Sequence, residues 1–156
     1  MKILIALDAS PRSEHALQFV SRMRWPAGSR VLVVSALQPM VSAAAASPDL
    51  GELPAQVLDD RRRELEELVA NAESELRESG FATEGRVEVG DPREVLLSVA
   101  QDERADLLVV GSHGRTGIAK LMLGSVSSHV VTHASCSVLV VKHAAAANKT
   151  GGRRQT

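Results

Sequence analysis

The sequence predicts an α/β fold in which five parallel strands form one open, doubly wound sheet with helices on both faces. Two observations predict this class. Short runs rich in Val, Ile and Leu alternate with longer segments of helical periodicity, the pattern of parallel strands joined by crossover helices. The 156 residues, 44% of them hydrophobic, are also sufficient for one well-buried core. We therefore expect a single domain.

Each strand is predicted from one short apolar run. In the last run, positions 138 to 141 are continuously apolar rather than alternating, which is typical of a strand covered on both faces. In chain order the predicted strands are KILIAL ending at Leu7, RVLVVSAL from Arg30 to Leu37, RVEVG ending at Gly90, DLLVV ending at Val110 and SVLVVK ending at Lys142.

Helix signals lie between these runs. Ser10 followed by Pro11, and later Asp91 followed by Pro92, are signals for an N-cap and a first helical turn. A long helix is expected to reach about Ser79. The apolar positions at helical spacing are Ala16, Val20 and Met23 in the first helix, Leu58, Leu65, Leu68, Val69, Ala72 and Leu76 in the long helix, and Val95, Leu96, Val99 and Ala100 in the third, which ends near Glu103.

Two segments are expected to lie outside the regular elements of the domain, which spans residues 1–143. Residues 38–55 hold three prolines, a glycine and an alanine run, and are predicted to form an irregular insertion. Residues 144–156 have no large apolar side chain and are predicted to form a disordered tail.

Composition argues against several classes of partner. The formal charge of -1, from 18 basic and 19 acidic side chains, gives no broad field for a nucleic-acid backbone or an anionic membrane. Aromatic residues make up 2% of the chain, which leaves few rings for base stacking. The first apolar run is too short for a signal peptide or a spanning helix, and the single cysteine, Cys136, fits a reducing compartment. We expect a cytoplasmic protein without nucleic-acid or membrane partners.

A ligand site is predicted where two strand ends meet. In an open doubly wound sheet, ligands bind beyond the carboxyl ends of the strands, where the strand order reverses. The first strand supplies Asp8 there, and the fourth supplies the glycine-rich segment GSHGRTGIAKLMLGS, which starts at Gly111. A helix beginning near Gly124 and Ser125 offers free amide hydrogens, which the hydroxyls of Ser125 and Ser127 supplement, so this helix start is a receptacle for phosphate.

The glycine spacing carries a resemblance to a known family. Gly111, Gly114, Gly124 and Ser125 follow the pattern of glycine, two residues, glycine, nine residues, glycine and serine. This pattern resembles the signature of the universal stress protein family, specifically its ATP-binding branch, and the resemblance covers residues 1–142. It implies a Rossmann-like sheet of strand order 3-2-1-4-5 and a site for ATP or another adenine nucleotide.

The resemblance also implies a role for each site residue. Asp8 matches the family's aspartate near the ribose and is the one candidate to approach a phosphate-bound Mg²⁺. Arg115 lies where the family often has a basic residue. His113 is a candidate from its place in the glycine-rich loop alone, where it could approach a phosphate, but without an orienting carboxylate it is a poor candidate base. The adenine end comprises Ala6, where the family often has proline, with Leu7, Ala36, Val110 and Gly111; the phosphate end comprises Gly114, Gly124, Ser125, Val126 and Ser127.

Alternatives remain open for individual residues. The glycines could instead serve a loop that needs positive φ angles, and Asp8 could cap the first helix. His129 and His133 share a helix face, but no third metal ligand stands out, so we expect them to be solvated or to face a dimer partner. Cys136 is expected to be buried and inert.

Three functional classes are consistent with these residues. The leading hypothesis is an adenine-nucleotide sensor or regulator in the stress response, with cyclic AMP as an alternative ligand. The second is a slow ATP hydrolase, disfavoured because the loop lacks the GxxxxGK[ST] arrangement. The third is a nucleotide-free interaction module. In the implied strand order, residues from Cys136 to Lys142 form a sheet edge, which predicts a homodimer through this strand.

Overall fold

The computed structural model describes residues 1–39, 55–112 and 123–142, and it contains one parallel sheet of five strands. In chain order the elements are β1 (Lys2–Leu7), α1 (Pro11–Arg22), β2 (Arg30–Leu37), α2 (Ala55–Glu78), β3 (Ala82–Val89), α3 (Pro92–Asp102), β4 (Leu107–Gly111), α4 (Ser125–His133) and β5 (Ser137–Val141). The strands lie in the order β3-β2-β1-β4-β5. The expected doubly wound α/β class and strand order are confirmed.

The central strand β1 holds the two faces of the sheet together. Ile3 and Ile5 pack into a cluster with α1 and α2, whereas Leu4 packs into a second cluster with α3 and α4. All three side chains are fully buried. Complete burial of such a side chain stabilises a fold by about 1.5 to 3 kcal/mol, so this short strand contributes to both layers.

The two predicted N-caps are confirmed. Ser10 Oγ accepts a hydrogen bond from the Ser13 N–H at 3.2 Å at the start of α1, and Asp91 Oδ1 accepts one from the Arg93 N–H at 2.9 Å at the start of α3. The guanidinium of Arg93 also donates to both carboxylate oxygens of Asp91. These side-chain bonds, followed by the backbone bond, lower the pKa of Asp91 from 3.8 to about 2.

Helices α2 and α3 end in the same kind of turn. After α2, the N–H groups of Gly80 and Phe81 donate to the carbonyls of Arg77 and Leu76, and Gly80 has φ +90°. This is the pattern of a Schellman motif, in which glycine normally supplies the left-handed residue. After α3 the left-handed residue is Arg104, with φ +50°. An L side chain in this conformation costs about 1 to 2 kcal/mol.

The third strand is longer than the sequence predicts. It starts at Ala82 rather than at residue 86, because it pairs with β2 from the first residue of that strand onward. Its sequence ATEG has low strand propensity, and Gly85 is needed for packing instead. A Cβ atom at Gly85 would lie 2.3 Å from Val69 Cγ1, so the missing side chain lets α2 approach the sheet.

The expected buried face of α1 is correct for Ala16 and Val20 but wrong for Met23. Met23 is the C-cap residue, and 48% of it is exposed. In the part of the expected insertion that precedes Ala55, residues 40–54 lie outside the described residues, as does the whole expected tail at 144–156. Among the described helices, none combines the length and apolarity needed to cross a membrane.

Candidate functional site

The strand order reverses between β1 and β4, and the two strands separate at their carboxyl ends. Their pairing comprises Ile3 with Leu107, Leu4 with Leu108 and Ile5 with Val109, and it does not extend to the last residues of either strand. By contrast, β1 pairs with β2 along its whole length. The result is a crevice between the β1 and β4 tips, at the place where ligands bind in doubly wound sheets.

Asp8 lies at the β1 tip in a constrained turn. Its Oδ1 accepts a hydrogen bond from the Ser10 N–H at 3.1 Å, and its own N–H donates to Ser13 Oγ at 3.3 Å. Ala9, between them, has φ +59°, a left-handed conformation that alanine seldom adopts. The alternative that Asp8 is the N-cap of α1 is therefore wrong, because Ser10 has that role and Asp8 supports Ser10. Within the described residues we find no donor bonded to Asp8 Oδ2.

Three of the expected adenine-side residues lie on one face of the sheet. Ala6 and Val110 belong to the hydrophobic cluster of the α3 and α4 face, together with Val126 of α4. Ala36 follows Val34 of the same cluster by two positions, so strand alternation directs it to the same face. Ala6 and Ala36 are half-buried, and their small side chains leave room above the sheet for a flat ligand.

Leu7 does not belong with this group. Its side chain is buried in the opposite cluster, between the sheet and α1 and α2. Its carbonyl oxygen accepts a hydrogen bond from Ser35 Oγ at 2.7 Å, so the tip of β2 is tied to the tip of β1. Ser35 was not among the expected site residues, although a serine near the end of an otherwise apolar strand is a signal for such a bond. The side chain of Leu7 therefore faces away from the crevice, and its expected part in nucleotide binding stays a prediction.

At the β4 tip, Gly111 is required by packing. A Cβ atom there would lie 2.9 Å from the backbone carbonyl carbon and oxygen of Arg12 in α1. Among the described glycines, positive φ angles occur at Gly28, Gly80 and Gly90, not at Gly111 or Gly124. The alternative that these two signature glycines serve positive φ angles is therefore wrong.

The start of α4 is fastened to the end of β4. The Gly124 N–H donates to the Ser112 carbonyl at 2.9 Å, and Ser127 Oγ donates to the Gly111 carbonyl at 2.6 Å. These bonds bring together the two ends of the glycine-rich segment. His113, Gly114 and Arg115 lie between them, outside the described residues, so their expected contacts stay predictions.

Within the described residues, the N-terminus of α4 is open, because no acceptor is bonded to its first N–H groups. Gly124 is its N-cap and, having no side chain, makes no side-chain capping bond. The N–H groups of Ser125, Val126 and Ser127 form the first turn, where an α-helix has no internal acceptors. Ser125 is exposed and Ser127 is buried. Because the one hydroxyl proton of Ser127 is donated to Gly111, this side chain positions the helix, and the hydroxyl that remains for a phosphate is that of Ser125.

The remaining titratable residues do not form a metal site among the described residues. The rings of His129 and His133 are stacked with centroids 4.3 Å apart, and His129 Nε2 lies 3.4 Å from Glu94 Oε1. Cys136 is half-buried, and desolvation raises its pKa, so its thiol is largely protonated at neutral pH. The expectation that Cys136 is buried is therefore wrong, since it is half-buried, whereas the raised pKa is in line with a thiol of low reactivity.

Two cavities in the described regions lie away from the crevice. One, of about 350 Å³, lies between α3 and the end of α4 and includes Glu94 and His133. The other, of about 540 Å³, opens at the amino ends of the strands and includes Trp25 and Phe81.

Comparison with known proteins agrees with this geometry. The model of the universal stress protein family matches residues 1–142. Universal stress protein Sll1388 of Synechocystis is 32% identical over 91% of this chain and 97% of its own length. The solved structure of MJ0577 of Methanocaldococcus jannaschii, 27% identical, superposes with a TM-score of 0.78 over 92% of this chain and 96% of its own. A universal stress protein from Archaeoglobus fulgidus, solved in complex with dAMP, is 26% identical with a TM-score of 0.66, covering 91% and 98%.

Proposed function

Because this chain belongs to the universal stress protein family, we propose that it binds an adenine nucleotide, with ATP as the leading candidate, and acts as a cytoplasmic sensor or regulator in the stress response. The observation that carries the proposal is the open N-terminus of α4, which two hydrogen bonds hold against the β4 tip beside the crevice. The dAMP complex of the Archaeoglobus fulgidus relative supports this class of ligand.

The phosphates would occupy the start of α4. Three backbone N–H groups point out of the first turn, and the positive end of the helix dipole favours an anion there. The exposed hydroxyl of Ser125 adds a fourth donor. Since Gly124 lacks a side chain, an oxygen of a phosphate can approach these donors closely. Gly114 and Arg115 would complete the phosphate end from the glycine-rich segment.

The nucleoside would extend from α4 across the carboxyl ends of the strands. Ala6, Ala36 and Val110 offer a mainly apolar surface of small side chains to adenine. Asp8 at the β1 tip would accept a hydrogen bond from a ribose hydroxyl, and its Oδ2 is the suitable atom because Oδ1 already accepts from Ser10. The turn around Asp8 is built before any ligand arrives, which reduces the entropy lost on binding.

We propose a sensor rather than a catalyst. Asp8 is the carboxylate that the described residues bring to the crevice, and half of its acceptor capacity is used inside the turn. Any Mg²⁺ would therefore be held mainly by the phosphates, with Asp8 as a single protein contact. Slow ATP hydrolysis is the alternative. It would be recognised by ADP that accumulates over many turnovers in proportion to the protein concentration.

The proposed assembly is a homodimer through residues 136 to 142. The sheet has two edges, β3 and β5. Glu84, Arg86 and Glu88 place charges at alternate positions of β3, which discourages edge-to-edge pairing. The five residues of β5 carry no charge, and among the described strands only β4 pairs with β5. Two copies of β5 related by a twofold axis would extend the sheet across the dimer.

Isothermal titration calorimetry tests the nucleotide site. ATP, ADP, AMP, cyclic AMP and adenosine are titrated into the wild type and into Gly124→Val, whose side chain would occupy the position of a phosphate oxygen. We expect binding of the phosphorylated ligands to be abolished in the variant while circular dichroism stays unchanged. Ser128→Val is the matched control, because Ser128 is exposed and lies beyond the open N–H groups of the same helix. A folded Gly124→Val that binds ATP as tightly as the wild type would overturn the proposed site.

A further inference from the structure

Two of the three Trp and Phe side chains of the protein line the cavity at the amino ends of β2 and β3, where both are half-buried against the core. The chain has one Trp, two Phe and no Tyr. Trp25 and Phe81 line this cavity of about 540 Å³. The third ring, Phe19, is 37% exposed and lies one helical turn from Met23, another lining residue that is 48% exposed. A chain that is poor in aromatic residues therefore concentrates them at the end of the sheet opposite the proposed nucleotide site.

The walls of this cavity are held in place by local hydrogen bonds. Trp25 Nε1 donates to the Val20 carbonyl at 2.9 Å, which fixes the indole ring against the end of α1. Residues 26–29 form a tight turn in which Ser29 donates twice to the Pro26 carbonyl. The opposite wall is the Schellman turn described above at the end of α2, which fixes Phe81. A preformed cavity of this size is large enough for a few side chains, and its rigidity lowers the entropic cost of binding.

Positive charge predominates on the α1 and β2 side of this cavity. Arg30 is the charged residue in the lining, and the exposed Arg22 and Arg24 flank Met23 beside it. Within the described residues these three arginines form no ion pair, whereas Arg61 and Arg77 of α2 each pair with a glutamate. The carboxylate of Glu75 near this end accepts a hydrogen bond from Ser21. The exposed Glu78 adjoins Ser79 in the opposite wall, so the rim carries three arginines without described partners on the α1 and β2 side and carboxylates on the α2 side.

We infer that this cavity is a docking site for an acidic segment of a partner protein that carries a Phe or Leu side chain next to Asp or Glu. The apolar side chain packs between Trp25 and Phe81, and the carboxylates pair with Arg30 and the flanking arginines. Aromatic and arginine side chains are the residue types that contribute most binding energy at protein interfaces. The site lies about 20 Å from the nucleotide crevice, one strand length away. It does not depend on the proposed nucleotide binding.

The test starts with a random library of twelve-residue peptides displayed on phage and selected against the full chain. We expect enrichment of sequences in which Asp or Glu neighbours Phe or Leu. A selected peptide without Trp is then synthesised and titrated into the protein while the fluorescence of Trp25 is recorded. Since Trp25 is the single tryptophan, the signal arises at the cavity wall. Binding should change the emission and weaken with added salt.

Charge variants distinguish this site from other surfaces. Arg30→Glu should weaken the selected peptide at least about tenfold, because it places like charges opposite each other, and Arg30→Lys should change the affinity by less than about threefold. Arg62→Glu is the matched control with the same charge change. Arg62 is exposed and lies about 25 Å from the cavity along α2. Circular dichroism verifies the fold of each variant.

Four results would overturn the inference. The first is a selection with no binder, and the second is a set of binders without acidic enrichment. The third is a peptide that binds Arg30→Glu as tightly as the wild type. The fourth is competition by ATP or AMP for the same Trp25 signal, which would make the occupant of the cavity a nucleotide. Retained peptide binding in saturating ATP would support a separate docking site.

Discussion

Replacing Ser127 with alanine tests whether its hydroxyl supports the structure of the proposed site or contacts the ligand directly. The residue Ser127 is 3% exposed, and its hydroxyl donates to the Gly111 carbonyl at 2.6 Å. Its removal deprives the half-buried Gly111 carbonyl of this donor, which costs about 0.5 to 1.5 kcal/mol. We expect Ser127→Ala to lower the free energy of unfolding by this amount. Binding of ATP and adenosine should weaken together, because the helix that bounds the crevice loses its attachment to β4.

Ser125→Ala provides the matched comparison. Ser125 is exposed at the first position of α4, so its replacement should change the free energy of unfolding by about 0.5 kcal/mol or less. A hydrogen bond to a charged phosphate contributes about 1.5 to 3 kcal/mol, so ATP binding should weaken by at least about tenfold while adenosine binding is retained.

Urea unfolding followed by circular dichroism, together with calorimetric titration of ATP and adenosine, measures both quantities. The reasoning is refuted if Ser127→Ala keeps the stability of the wild type and loses ATP binding alone. That result would mean that the Ser127 hydroxyl binds the phosphate and does not act through its bond to the Gly111 carbonyl. Equal losses of ATP and adenosine in a stable Ser125→Ala would instead show that Ser125 has a structural role.

Three further predictions concern assembly, backbone conformation and pH. Val140→Pro removes one donor from the proposed β5 edge and should give monomers or aggregates in light scattering at micromolar concentration; a clean dimer would disprove the interface. Arg104→Gly removes a side chain from a left-handed position and should raise the free energy of unfolding by about 0.5 to 1 kcal/mol in urea, whereas an unchanged midpoint would mean that the turn is not strained. The lowered pKa of Asp91, about 2 in the fold against 3.8 ordinarily, implies a stabilisation that is complete above pH 4 and is lost as the pH falls toward 2. Asp91→Asn should therefore reduce the loss of stability between pH 4 and pH 3, and an identical pH profile would contradict this assignment.

The sequence predicts the parts of the fold that depend on local pattern. The apolar runs of β1, β2 and β4 are buried on both faces, and Ser10 and Asp91 cap their helices as expected. The start of β3 was missed because ATEG has no strand signal of its own and becomes a strand by pairing with β2. Met23 was assigned to the buried face because periodicity does not show that α1 ends one residue earlier.

The candidate site shows the same division. Its location followed from the fold class and the glycine spacing, but the contacts that each side chain makes did not. The hydroxyl of Ser127 was expected to contact phosphate, since sequence cannot show that a carbonyl lies 2.6 Å away. Leu7 was among the expected site residues, yet strand alternation turns its side chain to the other face. Gly111 was recognised correctly as special, but its cause is the close approach of α1.

The pairing of β1 with β4, called the β1–β4 seam below, has a consequence for the kinetics of folding. At the amino ends of these two strands the Lys2 N–H donates to Asp106 Oδ2, a residue 104 positions away in the chain. Closing so long a loop is entropically costly, and contacts between distant residues generally form slowly. We expect β1, α1 and β2 to associate early and the seam to close late. A nucleotide can then recognise only chains that have passed this last step, so it should slow unfolding far more than it accelerates folding. Occupancy of the crevice would in that case prolong the lifetime of finished molecules without assisting their formation.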